Sequence, residues 1–132
     1  RFRIALLTVI SPLNARHDQP REAVRRRDTH YLFYRTECPN LLEVATAQGA
    51  ITLHDLLHGG ALRQMRQEFD FIVVDTPPVA QHAEVALLST LLDGVLLVAE
   101  QHVTSLRQMD CAHQRLRNVQ ANILGVILNR QH

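Results

Sequence analysis

Three short apolar runs, each closed by a polar residue and separated by stretches of helical spacing, restrict the fold more than any other feature of the chain. Phe71-Ile72-Val73-Val74 ends at Asp75, Gly94-Val95-Leu96-Leu97-Val98-Ala99 is the second run, and Ile123-Leu124-Gly125-Val126-Ile127-Leu128 is the third. Runs this short and this rich in β-branched residues suit strands covered on both faces, as in parallel sheets. Between the first two runs, Val85, Leu88 and Leu92 follow i, i+3, i+7 within Ala83 to Leu92. Between the last two, Leu106, Met109, Ala112, Leu116 and Val119 form one stripe, with Arg107, Gln114, Arg115 and Arg117 mostly outside it. Thr104 or Ser105 can cap that second helix. Strand, helix, strand, helix, strand makes two consecutive βαβ units with right-handed crossovers. The pattern predicts an α/β domain with a mostly parallel sheet of four or five strands and helices on both faces.

Upstream the pattern is thinner. Ile4 to Ile10 reads as a strand stopped by Ser11-Pro12, and Leu41 to Ala45 as another. Leu53 to Phe69 reads as helix interrupted at Gly59-Gly60, with the first piece ending at Leu57 or His58. Asn14 to Asn40 carries the weakest signal, and a short helix is expected from Pro20 to Arg27. Its Arg21, Arg25, Arg26 and Arg27 have two open readings, a solvated face or a contact surface for phosphates or an acidic partner. No repeat or low-complexity segment interrupts the chain.

Composition removes several function classes. The 132 residues suffice for one domain with a real core. A formal net charge of +1 gives no field suited to nucleic acid. No stretch approaches the roughly 20 apolar residues of a membrane span, and the first residues do not read as a signal peptide. The chain opens on Arg1 rather than methionine, which suggests a piece of something longer. Cys38 and Cys111 lack metal-type spacing and read as free thiols of a reducing cytosol. All 14 basic residues are Arg, so any mechanism that needs a lysine from within this chain is excluded.

Ligands of parallel α/β sheets collect at the carboxyl ends of the strands. The residues there are Asp75-Thr76-Pro77-Pro78, then Glu100-Gln101-His102, then Asn129-Arg130. An Asp closing an apolar strand anchors Mg²⁺ in many nucleotide sites, and in many other sheets only caps the next turn. The longer string is more specific. Phe69-Asp70-Phe71-Ile72-Val73-Val74-Asp75-Thr76-Pro77-Pro78-Val79 resembles the Walker B segment of the bacterial tyrosine autokinases (BY-kinases) of capsule and exopolysaccharide machinery, which are deviant-Walker P-loop ATPases. Asp93 to Val98 resembles that family's next strand, and Thr104 stands where the family opens the following helix. Leu124 to Arg130 resembles its final strand, and Leu42 to Gly49 the stretch leading to a Gly turn. On this resemblance residues 1–132 form a single BY-kinase-like domain of P-loop NTPase type, 1–40 divergent and 41–132 family-like. It implies that Asp75 is the Mg²⁺ or water-orienting carboxylate, effective only with nucleotide. It also implies that Thr76 and Pro77 line the phosphate side and that Asn129 and Arg130 lie by the base.

The departures are equally specific. The family's phosphate loop is rich in Gly and carries a Lys, yet this chain has no Lys and no Gly before Gly49. The family's second motif, a strand ending in an Asp-x-Asp pair, would fall near Leu6 to Ser11, where no carboxylate stands. Glu84 occupies a position where the family more often has Asp, and the C-terminal tyrosine cluster is missing, with Tyr31 and Tyr34 the only tyrosines. A lone Asp75 repels phosphate unless Mg²⁺ is present, and is a poor Mg²⁺ site without phosphate oxygens. No cofactor is therefore expected for this chain alone, and Mg-ATP only if nucleotide binding is retained.

Three functions fit the resemblance and its departures. The first is a non-catalytic or regulatory BY-kinase-like component of exopolysaccharide or capsule biosynthesis and export. The second is a fragment of an active ATP-dependent protein-tyrosine autokinase, and the third a ParA-like scaffold or positioning module. The implied partners are the inner-membrane polysaccharide chain-length regulator, a related kinase or further copies of the chain, at a cytoplasmic location peripheral to the inner membrane. Elsewhere, His54 and His58 share a helix face at metal-pair spacing, but no third ligand is near, and solvent-facing or packing histidines are the plainer reading. His17, Asp18, His30 and His82 have no ligand spacing, and Ser11 and Ser89 lack the glycines of a nucleophile elbow.

Overall fold

A computed structural model describes residues 4–8, 23–24, 31–46 and 49–130, the side chains of 4–8, 23–24 and 49–50 excepted. Contacts group the chain into two units, 1–76 and 77–132.

The first unit contains β1 (Ile4–Thr8), β2 (Ala23–Val24), β3 (Tyr31–Arg35), β4 (Leu41–Thr46), β5 (Gly49–Ala50), α1 (Leu53–His58), α2 (Ala61–Glu68) and β6 (Phe71–Asp75). They form a six-stranded sheet in the order β2-β3-β4-β1-β6, with β5 on β4. β1 runs parallel to both β4 and β6. β2, β3 and β5 are antiparallel to their neighbours. The route from β4 to the parallel β6 needs a crossover, and α1 and α2 supply it. Thr52 starts α1 because its hydroxyl accepts from the Asp55 amide at 3.2 Å, while Asp55 Oδ2 accepts from the Thr52 amide at 2.9 Å. This reciprocal box satisfies two otherwise orphaned amides. Gly59 ends α1, and Gly60 turns the chain into α2 at φ 73, a left-handed conformation that glycine adopts without strain. The core gathers Phe33, Val44, Ile51, Leu56, Met65 and Phe69, all buried, and the Phe33 and Phe69 rings meet at 5.7 Å.

Two expectations fail in this unit. Ala23 and Val24 are not helical but pair antiparallel with Tyr34 and Phe33, and the rest of Pro20 to Arg27 lies outside the described residues. The reason is the neighbour: β3 is rich in aromatic β-formers, and an edge pairing on it outweighs the weak local helix signal. The sheet is also mixed rather than mostly parallel, because β3 and β5 both pair antiparallel with β4.

The second unit contains α3 (Ala83–Ser89), β7 (Val95–Glu100), α4 (Leu106–Asn118) and β8 (Ile123–Asn129). β7 and β8 form a separate two-stranded parallel sheet joined through α4. The later of the two expected βαβ units is therefore present. The partners described for β6 and β7 are β1 and β8, respectively. Ser105 rather than Thr104 caps α4, its hydroxyl accepting from the Gln108 amide at 3.2 Å. Val85, Leu88, Leu97, Ala99, Ala112 and Leu116 are buried. Arg115 Nη1 donates to the Val79 carbonyl at 3.1 Å and ties α4 to the segment before α3.

Candidate functional site

The candidate residues follow the carboxyl ends of strands, and each unit is described by itself. In the first unit Asp75 is the last residue of β6 and exposed, and Thr76 follows it half-buried. The register partner of Asp75 on β1 is Thr8. Thr8 is also the last residue of β1. β4, the next strand over, ends at Thr46. Among the described residues no group of three or more His, Cys, Asp or Glu could hold a metal ion. Mg²⁺ in nucleotide sites is held by one or two carboxylates completed by phosphate oxygens and water, so Asp75 could contribute to such a site only together with a bound phosphate.

In the second unit Pro77 is half-buried and opens a turn in which the Pro78 carbonyl accepts from the amides of Gln81 and His82, at 3.0 and 3.1 Å. Glu84 lies in the first turn of α3 and is exposed. Asn129 is the register partner of Glu100, and its carbonyl accepts from the Gln101 amide at 2.9 Å. The structure therefore brings Glu100, Gln101, Asn129 and the following Arg130 to one end of the β7–β8 pair, with Asn129 and Arg130 exposed. His102 stands at φ 66 in the turn that follows. That turn is closed by Thr104, whose Oγ1 accepts from the Glu100 amide at 2.9 Å while its own amide donates to the Glu100 carbonyl at 2.9 Å. Thr104 is thus occupied in shaping the loop beside Asn129. Sequence reasoning did not find the Arg115 contact, because 36 residues separate it from Val79 and no spacing rule links them.

The α/β scaffold thus carries an Asp-Thr-Pro-Pro segment after β6 and an Asn-Arg segment at the end of β8. The chain's homologues are bacterial tyrosine-protein kinases of the capsule and exopolysaccharide BY-kinase family. It is 30% identical over 69 residues to the tyrosine-protein kinase CpsD of Streptococcus pneumoniae, matching 52% of this chain and 30% of that protein. It is 25% identical over 99 residues to CpsD of Streptococcus agalactiae, matching 72% of this chain and 43% of that protein. The tyrosine-protein kinase Etk of Escherichia coli is 30% identical over 79 residues, which is 57% of this chain and 11% of that protein. The chain thus spans less than half the length of these relatives. Among solved structures it is similar to the VpsO kinase domain, with a TM-score of 0.63 and 27% identity over 76% of this chain and 51% of that one. It shares its fold with the kinase domain of Escherichia coli Etk, with a TM-score of 0.56 and 24% identity over 67% of this chain and 37% of that one. No family model matches the chain.

Proposed function

We propose that this chain is a BY-kinase-like component of capsule or exopolysaccharide biosynthesis and export that acts by contact and does not itself turn over ATP. The observation that carries this reading is that, among the described residues, the partner of Asp75 on β1 is Thr8, and that the sequence given has no lysine and no glycine before Gly49. A triphosphate is held by a nest of backbone amides with a lysine beside it, and the sequence given carries no Gly-rich, Lys-bearing loop of that kind. Its partners on this reading are the inner-membrane chain-length regulator or a complete kinase, or further copies of the chain. Among the described residues no helix is long and apolar enough to cross a membrane.

A second reading, a fragment of an active tyrosine autokinase, is favoured by the strands themselves. Among the described residues β6 has β1 as its neighbour and β7 has β8, and Phe71, Val73, Leu96 and Val98 on them are each at least half exposed, at 50–65%. Apolar parallel strands normally have both faces covered. The relatives named above favour both readings over a ParA-like positioning module. Calorimetry with Mg-ATP, with ADP as control, tests the first: no binding up to millimolar ligand is expected. Micromolar binding that survives in Asp75→Asn would sink both the contact reading and the role given to Asp75. Under the second reading, a longer natural polypeptide carrying a Gly-rich, Lys-bearing loop binds Mg-ATP, and Asp75→Asn weakens that binding.

A further inference from the structure

The six-residue helix α1 carries His54 and His58 one turn apart, both exposed, with ring centroids 5.0 Å apart and planes inclined at 53°. Residues four apart on a helix lie one above the other, so the backbone itself holds the two imidazoles together. We propose that His54 and His58 form a two-imidazole chelate for a borderline transition-metal ion such as Ni²⁺ or Zn²⁺, with water in the remaining positions. The distance supports this. A Zn–N bond of about 2.0–2.1 Å puts each ring centroid ~3.2 Å from the ion, so two rings at a near-tetrahedral angle have centroids ~5 Å apart. The observed separation already has that value, and neither ring needs to be carried to the other by a change in backbone.

The surroundings favour a cation. His54 lies in the first turn of α1 and His58 in the last, so the helix dipole opposes a cation at one ring and favours it at the other, and the nearby carboxylate decides. Asp55 lies between the two histidines in sequence, and its carboxylate is held by the Thr52 amide and hydroxyl at 2.9 and 2.7 Å. It therefore contributes negative charge nearby while remaining engaged with the Thr52 cap of the helix. Imidazole nitrogen selects Ni²⁺, Cu²⁺ and Zn²⁺ over the oxygen-seeking Mg²⁺ and Ca²⁺. The chelate shares no residue with the strand ends discussed above and does not depend on any role of the chain in polysaccharide export.

The test is titration of the full 132-residue chain with NiCl₂, followed by calorimetry and by histidine side-chain NMR with ZnCl₂. The chain has eight histidines, so the readout is the difference made by His54→Ala and His58→Ala, with His113→Ala on α4 as control. Chelation predicts that either substitution alone weakens the tightest site about tenfold or more, because each converts a two-point contact into a one-point contact. It also predicts that Zn²⁺ shifts the ring resonances of His54 and His58 together at one equivalent, while Mg²⁺ shifts neither. Both side chains are exposed, so the variants should keep the far-UV circular dichroism of the parent. Unchanged Ni²⁺ affinity in both single variants, or a loss in His113→Ala as large as theirs, overturns the proposal. Independent shifts of the two rings at different metal concentrations would do the same.

Discussion

The interior strands β3 and β4 and the strands β6, β7 and β8 are built from similar apolar residues but are covered very differently. Phe33 on β3 is 0% exposed and Val44 on β4 is 2% exposed, each with a strand on both sides. On β7, Leu97 and Ala99 are buried while the alternating Leu96 and Val98 are 53% and 65% exposed. Phe71 and Val73 on β6 behave like the latter pair, as do Leu124 and Val126 on β8. A continuous apolar run states that both faces of a strand need cover. It does not state which part of a polypeptide gives that cover, and within the unit 77–132 only one face of β7 receives it.

The strongest attempt to break this comparison is to truncate one side chain of each kind. Phe33→Ala should cost about 3–5 kcal/mol, because it removes the ring that meets Phe69 and leaves a void that the surrounding sheet and helices fill poorly. Leu116→Ala, at a 0% exposed position of α4, should cost about 2–5 kcal/mol by the same mechanism in the other unit. Val98→Ala should cost within about 0.5 kcal/mol, as for an ordinary surface substitution. Urea denaturation at constant m-value reads all three. A Val98→Ala loss close to that of Leu116→Ala would mean that the outer face of β7 is covered in solution, and the contrast drawn here would fall.

Much of this contrast was legible in the sequence, and the parts that were not have identifiable causes. The strands at 71–75, 95–100 and 123–129 and the helix at 106–118 follow the runs and stripes closely, because burial on a fixed period leaves a strong pattern. The break at Gly59-Gly60 was also visible, since only glycine sits easily at the left-handed position that Gly60 takes. β3 was missed although Tyr31-Leu32-Phe33-Tyr34 is a run of β-formers with Tyr31 and Phe33 turned inward. Its antiparallel pairing with β4 is a long-range choice, and local signal could not separate it from a loop. The α/β class and the α4 crossover were readable for the same reason that the sheet order was not: order depends on which edges meet. Of the candidate site, the positions of Asp75 and Asn129 at strand ends followed from the pattern. The closing of the loop beside Asn129 by Thr104 did not, because a hydroxyl four residues from an amide carries no periodic signature.

A milder way to sharpen the comparison uses the two helices that start with the same reciprocal box. Thr52 with Asp55 opens α1, and Ser105 with Gln108 opens α4. Thr52→Ala and Ser105→Ala should each cost about 1 kcal/mol, since each releases the amide that the hydroxyl had satisfied. Thermal or urea unfolding of both variants checks the parity. A Ser105→Ala cost several times that of Thr52→Ala would show that the α4 crossover depends far more on its first turn than the α1 start does.

The smallest effect separates the boxes by charge. In α4 the residue that reaches back is neutral, with Gln108 Oε1 accepting from the Ser105 amide at 2.8 Å. In α1 it is a carboxylate. Hydrogen bonds from the Thr52 backbone and then its side chain hold Asp55 below the ordinary carboxyl value, with burial opposing in part and His54 assisting. Because the folded value is depressed, the native state binds fewer protons than the unfolded chain. The stabilisation is therefore present above the unfolded carboxyl pKa of about 3.9 and is lost as pH falls through the lower folded value. Tyr31 has the opposite sign. Burial first, and then the charge of Asp55, raise its phenol above the usual value, so its contribution is present below about pH 10 and is lost as pH rises through the folded value. Asp55→Asn should flatten the acid limb of stability and soften the alkaline one, whereas Gln108→Glu should introduce an acid limb at α4 where the parent box has no ionisable side chain. Asp55 is only half-buried, so solvent screening keeps the acid-limb change smaller than the cap substitutions. Stability measured between pH 2.5 and 6 on the parent and Asp55→Asn decides the point. Identical slopes would mean that Asp55 holds Thr52 no more tightly than a neutral amide would, and the two boxes would then be equivalent in chemistry as well as in shape.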